Sequence, residues 1–565
     1  MTDNITLYRQ ARDRMIAQVA EPDAPDEFTW PELSGKFNWA TDWFDTIARG
    51  NGATALWIVE EDGTERKVSF DEMASRSDQV AAWLASLGVV KGDRIILMLG
   101  NQVELWESML GIAKLGAVIM PTTGALGEDD LRDRIDRGRA DVVIANTTDT
   151  VKFDNIDARL RRIVVGGRAD GWLSYEQAYA VTAAGPFPTP TTVEDTMLIY
   201  FTSGTTSKPK LVEHSQISYA VGHFTTVAWI GVRPGDVHLA ISAPGWAKHA
   251  WSCYFAPWIA EATIFVYNYR RFDGAGLLRQ LQDKKVNTFC APPTVWRMLI
   301  QADLGDRPAG LREVLGAGEP LNPDVIRKVE DAWGLTIRDG FGQTETTLLV
   351  GNRPHRTVKP GSMGQPMPGV SVVLIDPLTG SPADEGEICL DLARSPLNLM
   401  TGYVDDPARN DEVMSGGYYH TGDVAQQDSD GYITYIGRTD DVFKSSDYKV
   451  SPFELESVLI EHPAVVEAAV VPQPDETRLA LPKAYISLAS GWEPTADTAR
   501  QIFEYAAAHL PSYLKVRRIE FHELPKTISG KIRRVELQQR EMAAHRSGDA
   551  IDSEFRYEDT VAAPA

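Results

Sequence analysis

Between Tyr200 and Lys210 an apolar run, Met197–Phe201, opens into a stretch of hydroxyls, one glycine and two lysines. Thr202, Ser203, Thr205 and Thr206 are donors suited to phosphate oxygens, and Gly204 lets a backbone approach a ligand closely. Lys208 and Lys210 add positive charge, while Pro209 stiffens the exit. A solvated Ser/Thr/Gly linker has the same composition, so the segment alone leaves both readings open. Other phosphate and catalytic signatures are absent: there is no GxxxxGK followed by Ser or Thr, no complete GxGxxG, no HExxH and no GxSxG.

The elements around this segment alternate. Short apolar runs at 55–59, 94–98 and 117–120 are separated by amphipathic stretches at 70–87 and 103–115, which predicts strands and helices in stacked β/α units. The rhythm returns at 141–145, 162–165, 263–267, 288–291 and 313–316, with a helix expected over 323–333. From Gly361 the texture shifts to short β-type runs with turn signals, 369–376 and 386–390, which reads as a small, mostly antiparallel subdomain. Beyond 437–441 a compact α+β pattern begins, with helices at 452–461 and 498–509 and strands at 465–471 and 483–488. The fold class is therefore α/β. A large N-terminal domain (1–437) carries stacked β/α subdomains and the small β-subdomain, 438–441 is a hinge, and 442–545 is a small α+β domain. The acidic, Ala/Pro-ended stretch 546–565 is expected to be disordered.

A net charge of −23, from 56 basic and 79 acidic residues, argues against nucleic acid or an anionic membrane as partner. Any polyanionic ligand must be held locally. Three widely spaced cysteines, Cys253, Cys290 and Cys389, form neither a disulfide framework nor a zinc motif, and fit a reducing cytoplasm. The N-terminus lacks a basic stretch leading into an apolar one, and no run approaches 18 apolar residues, so a cytoplasmic protein without a membrane partner is expected.

Six segments match, in order, motifs of one family. Tyr200–Lys210, Gly316–Leu321, Asp339–Thr346, Tyr419–Asp423, Gly437–Lys449 and Pro525–Lys531 resemble the phosphate loop, adenine turn, YGxTE segment, ribose motif, hinge and catalytic-lysine motif of the acyl-CoA synthetases. These belong to the adenylate-forming (ANL) superfamily, and the likeness is nearest to the medium-chain synthetases. The resemblance implies ATP, Mg²⁺ and coenzyme A, with a small carboxylic acid as substrate and a monomer or homo-oligomer as the working form. The acid would attack ATP to give an acyl-adenylate, and a thiol would then displace AMP.

By the same resemblance Lys531, Glu345 and Thr202 are the catalytic candidates, with Glu345 as the metal ligand. The nucleotide would be held by Thr202, Ser203, Gly204, Thr205, Thr206 and Lys210, by Gly318, Glu319 and Pro320, and by Asp339, Gly340, Phe341, Gly342, Gln343 and Thr344. Asp423, Arg438 and Lys449 complete that set. Phe341 would stack on adenine, and Asp423 would accept the ribose hydroxyls. Trp246, His249, Trp251, Gly316, Ala317 and Gly342 would line the acyl pocket, although Trp246, His249 and Trp251 read equally well as packing residues. Glycine at 342, where acetate-specific relatives carry Trp, would leave that pocket open. Lys248 could meet a second charge on the substrate or be an ordinary surface lysine. Asp440 marks the hinge about which the small, mobile lid domain would rotate, exchanging Lys531 for a coenzyme A face with Ser445, Ser446 and Asp447. Departures fall there: Asp447 stands for a glycine beside the pantetheine path, and Lys449 for an arginine whose planar fork it cannot reproduce. A relative's Arg-Gly turn is replaced within 476–481, and Ser207 replaces a common glycine. An alternative follows, in which the adenylate passes to an acceptor other than coenzyme A.

Overall fold

The computed structural model describes residues 3–21, 28–156, 159–182, 187–202, 208–319, 321–446, 448–475, 477–511, 514–526, 531–547 and 553–561. The chain divides into two compact units. One comprises Met1–Val372, Leu390–Tyr419 and Gly431–Ile433; the other comprises Val373–Cys389, His420–Asp430 and Thr434–Ala565.

Two large sheets organise the first unit. One has nine strands, ordered Gln365–Pro366, Leu348–Gly351, Arg338–Gly342, Glu313–Ala317, Thr288–Ala291, Val237–Ala240, Thr263–Tyr267, Thr54–Val59 and Glu65–Ser69. Its interior is parallel and its edges are antiparallel. The other has eight strands, in the order Gly402–Tyr403, Lys210–Ser215, Thr196–Thr202, Val118–Pro121, Arg94–Met98, Val142–Asn146, Arg161–Val165 and Leu173–Ser174. Runs such as Ile95–Met98 and Val142–Ala145 are buried along their length, as parallel strands covered on both faces require. The predicted strands and the helices at 70–86, 103–114 and 323–333 all form, within a few residues of the expected bounds. Fully buried Lys114 is held by Asp45 and Asp78, each at 2.7 Å, with Arg49 closing the group; a buried ammonium persists only with such partners.

The opening residues, which read as polar, form a helix, Asn4–Ala20, capped by the Asp3 carboxylate. Tyr8, Met15 and Val19 are buried on it, and the stripe is masked in the sequence because Arg12 lies on the same buried face. Its Nη2 reaches Glu261 at 2.9 Å.

In the second unit, strands over 372–375, 385–391, 418–427 and 433–438 follow one another in a four-stranded sheet. Val465–Asp475, Leu479–Leu488, Arg518–Phe521 and Glu554–Arg556 form another. That last strand corrects the expectation of a disordered tail. Ile519 pairs with Phe555, Tyr557 packs edge-on against Phe503 at 5.5 Å, and Glu554 reaches buried Lys483 at 3.1 Å. Three apolar residues in an acidic stretch, Phe555, Tyr557 and Val561, suffice to dock it on the core. No helix among the described residues is long and apolar enough to cross a membrane.

Candidate active site

Antiparallel pairing sets Thr202 opposite Lys210, so the two ends of the hydroxyl-rich segment are held side by side on a hydrogen-bonded ladder. Ser203, Gly204, Thr205, Thr206 and Ser207 lie outside the described residues. On the neighbouring strand Tyr403 sits opposite Val212, which places its ring 5.1 Å from Lys210 Nζ. The Tyr403 hydroxyl donates to Glu345 Oε1 at 2.9 Å. Glu345 is nearly buried, and its second oxygen has no hydrogen-bond partner among the described residues. Cation, phenol and carboxylate thus run in a line from the rim of the segment to Glu345. Lys208 lies apart, exposed and 4.0 Å from Asp133.

The segment carrying Glu345 is fixed through its backbone. His214 Nε2 and the Tyr219 hydroxyl both contact the Thr344 carbonyl, at 2.7 and 3.1 Å. A carbonyl only accepts, so His214 carries its proton on Nε2, and Nδ1 faces the Ser218 hydroxyl at 3.0 Å. Met400 N–H donates to the Glu345 carbonyl at 2.8 Å, and the Tyr419 hydroxyl donates to Gln343 Oε1 at 2.9 Å. None of His214, Tyr219 and Tyr403 was a candidate from sequence; each lies tens of residues or more from the group it holds, with no local signal to find it.

Parallel pairing brings the two glycine-rich segments together, Gly316 opposite Asp339 and Ala317 opposite Gly340. Burial raises the Asp339 carboxyl to about 7, against the pull of the Gly340 and Leu321 N–H groups that hydrogen-bond to it. Asp339 therefore ties the turn after Ala317 to the strand Arg338–Gly342. Gly318 takes a left-handed φ of 107°, Glu319 reaches Arg297 at 3.8 Å, and Pro320 lies outside the described residues. Phe341 is half-buried on that strand.

The acyl-pocket candidates do not all converge. Trp251 lies against Gly342, where a Cβ would stand 2.8 Å from its ring and 2.3 Å from the Thr347 carbonyl oxygen. Trp251 Nε1 in turn donates to the Tyr219 hydroxyl at 3.1 Å. Glycine at 342 therefore admits this indole and the close backbone, a correction to the expectation that it leaves the space open. His249 turns elsewhere, to Asn101 Oδ1 at 3.1 Å and beside the Trp106 ring, a packing position. Trp246 is half-buried at the start of its helix.

In the second unit Asp423 accepts from the Tyr435 hydroxyl at 3.1 Å and from Arg438 Nη1 at 3.3 Å. Gly422, at φ 74°, is needed here: a Cβ would stand 2.9 Å from the Arg438 guanidinium. Arg438 also reaches Asp440 at 3.6 Å. Lys449 pairs with Glu385 at 2.7 Å, with both side chains well exposed. Ser445 is buried, and Ser446 takes a left-handed φ of 57° with its N–H donating to Arg478 O; Asp447 lies outside the described residues. Leu479 holds φ 65° within the segment that departs from the family. Lys531 is exposed, next to Ile532, which pairs with Lys526 across an isolated antiparallel bridge. Glu387, Cys389 and His420 form the one group of three potential metal-ligating side chains among the described residues.

Two units of this kind, carrying these motifs in this order, are the architecture of an adenylate-forming enzyme. Residues 43–404 match the AMP-binding enzyme family and residues 454–531 its C-terminal domain. The chain is 41% identical over 532 residues to 4-hydroxybutyrate–CoA ligase 1 of Metallosphaera sedula, covering 92% of this chain and 93% of that one. It is 36% identical over 528 residues to the mitochondrial acyl-coenzyme A synthetase ACSM3 of Homo sapiens, covering 89% and 90%. Among solved structures it resembles the anthranilate CoA ligase AuaEII bound to anthranoyl-AMP, with a TM-score of 0.80, 28% identity and coverage of 90% and 98%. The chain belongs to the AMP-binding enzyme family and is an AMP-forming acyl-CoA synthetase. An acceptor other than coenzyme A is not favoured, since these relatives are CoA ligases and synthetases.

Proposed function

We propose that this ligase activates a medium-sized aliphatic or aromatic acid in a reducing cytoplasm, with the sequence-predicted residues in the roles that their motifs imply. A relative named for 4-hydroxybutyrate supports including hydroxy acids in that class. In the first half-reaction a carboxylate oxygen forms a bond to the α-phosphorus of ATP, and the bond to the β-phosphate oxygen breaks, releasing pyrophosphate. Two anions must meet, so preorganised positive charge is the chief requirement. Lys210 and Thr202, with residues 203–206, hold the departing phosphates, and Lys531 bridges the carboxylate and the α-phosphate. Asp423 accepts the ribose hydroxyls. In the second half-reaction the thiol sulfur of coenzyme A bonds to the acyl carbon, AMP leaves, and the thiol proton passes to solvent.

The residues present fit Mg²⁺. This ion is usually held by one or two carboxylates together with substrate phosphates, and Glu345 is one oriented carboxylate with an oxygen left over after Tyr403 has donated to the other. Bound there, the ion would neutralise phosphate charge. The hinge at Asp440 and the coenzyme A face at 445–447 belong to the same reading.

The observation that carries the proposal is the line from Lys210 through Tyr403 to Glu345. Pyrophosphate release over a panel of carboxylic acids, with and without coenzyme A, tests it. Turnover with medium-sized acids is expected, and Lys531→Ala should lose acyl-adenylate formation almost completely. An unaffected adenylation rate in that variant would refute the assignment.

A further inference from the structure

Lys248 lies in a helical stretch, Ala247–Ala250, that continues through Trp251–Phe255. Its spacing of three to Trp251 and four to Ser252 puts all three on one face. Nζ donates to Ser252 Oγ at 2.5 Å, lies 3.2 Å from Cys290 Sγ and stands 5.1 Å from the Trp229 ring centroid. Trp229 itself packs where a Cβ on Gly340 would point, and Trp251 where a Cβ on Gly342 would point, each 2.8 Å away. Lys248 and Trp251 stand three apart in the helical stretch, so the ammonium lies on the side where Trp251 packs.

Among the described residues no carboxylate lies within ion-pair reach of Lys248, which is half-buried among a hydroxyl, a thiol and an indole. The neighbouring cation is already satisfied: Arg338 pairs with Glu313 at 2.9 Å and donates to carbonyls at Trp229 and Asn352. Burial chiefly holds His223 and His238 neutral, and the positive charge of Lys248 adds to it, after that of His214 in the case of His223. A partly desolvated ammonium without a counter-charge is costly. A surface lysine would have turned to water, yet this one is fixed at its tip.

We propose that Lys248 recognises an oxygen at the far end of the acid, so that the preferred substrates carry a second polar group, a hydroxyl or carboxylate remote from the reacting carboxylate. The inference rests on the acyl chain lying along the Gly342 and Trp251 face, as in the function proposed above. Lys248 is then a specificity residue, with Trp251 as an apolar wall beside the carbon chain.

Steady-state kinetics of CoA-thioester formation on butyrate, 4-hydroxybutyrate and succinate decide the matter, for the wild type and for Lys248→Met and Lys248→Arg. The wild type should prefer one or both oxygen-bearing acids. The two arms tell a hydroxyl from a carboxylate. Lys248→Met should lose about 10- to 100-fold in kcat/KM on the preferred acid, the worth of one charge-assisted hydrogen bond, while keeping or gaining activity on butyrate; Lys248→Arg should retain the preference. Equal loss on every acid in Lys248→Met would make the lysine a structural prop and overturn the proposal, as would a wild type preferring butyrate. If Lys248→Met unfolds by circular dichroism, Lys248→Arg and Lys248→Gln carry the test on the same ratio of kcat/KM values. Absence of pyrophosphate release with any acid in the wild type would instead overturn the parent function, and this inference with it.

Discussion

At the residue scale the functional chemistry concentrates on a few charged groups whose orientation is set by neutral ones. In its proposed role of metal ligand Glu345 must point one way, and the Tyr403 hydroxyl at 2.9 Å fixes that direction. Tyr403→Phe keeps the buried ring and removes one donor to a carboxylate, worth about 1.5–3 kcal/mol. Pyrophosphate formation should therefore fall about 10-fold or more with little change in fold, read by rate and by thermal unfolding. A wild-type rate would free Glu345 from any dependence on Tyr403. Sequence singles out Glu345, Asp423 and Lys531 as candidates because each sits in a dense local motif. Tyr403, His214 and Tyr219 are not legible, because a hydroxyl meeting a carboxylate 58 residues away, or a hydroxyl or imidazole meeting a carbonyl more than a hundred residues away, leaves no periodicity and no spacing to read.

At the scale of elements the strand Arg338–Gly342 shows where pattern reasoning reaches its end. The strand and its pairing with Glu313–Ala317 come from the structure, whereas the motif over Asp339–Thr346 and the importance of glycine at 342 are readable in the sequence. What fills the space beside Gly342 is not, because the filler, Trp251, arrives from a helix far back in the chain. The neighbouring contact with the Thr347 carbonyl is the tighter of the two, 2.3 Å from a notional Cβ, and backbone cannot turn aside as a side chain does. Gly342→Ala should thus cost about 1–3 kcal/mol in unfolding free energy, as overpacking does, and lower kcat/KM for the acid. Trp251→Ala in the same chain should leave most of that loss in place, since the carbonyl contact persists. Full rescue by Trp251→Ala would mean that the indole, and not the backbone, sets the limit. The docked C-terminal strand Glu554–Arg556 illustrates the same boundary: three apolar residues are too few to register against an acidic background, yet they meet a preformed sheet edge.

For the molecule as a whole, burial of neutral imidazoles ties stability to pH. His214, His238 and His249 are pushed down to about 3, and His223 is driven well below its ordinary value, in each case chiefly by burial. An unfolded histidine binds its proton near 6.5, so between about pH 6.5 and pH 3 the unfolded chain holds more protons at these four sites than the folded one. Their contribution is fully present above 6.5 and is lost as pH falls through that window, at about 1.4 kcal/mol per pH unit for each group. Asp339 works the other way: raised to about 7, it favours the folded state most below pH 3.8 and loses that contribution as pH climbs to 7. Burial also raises the carboxyls of Asp45, Glu107 and Glu456, which oppose the histidines on the same side, so the individual term is best isolated by difference. His249 suits this because its side chain's one polar partner among the described residues is a neutral amide, Asn101 Oδ1, which glutamine can still meet with its own NH₂. His249→Gln should be less stable than the wild type at pH 8 through imperfect packing, and the gap should narrow as pH falls from 6.5 to 4.5, the variant having no imidazole to protonate on unfolding. Urea denaturation midpoints at three or four pH values measure it. A gap constant over that range would mean that His249 titrates alike in both states, and that its burial costs the protonated form nothing.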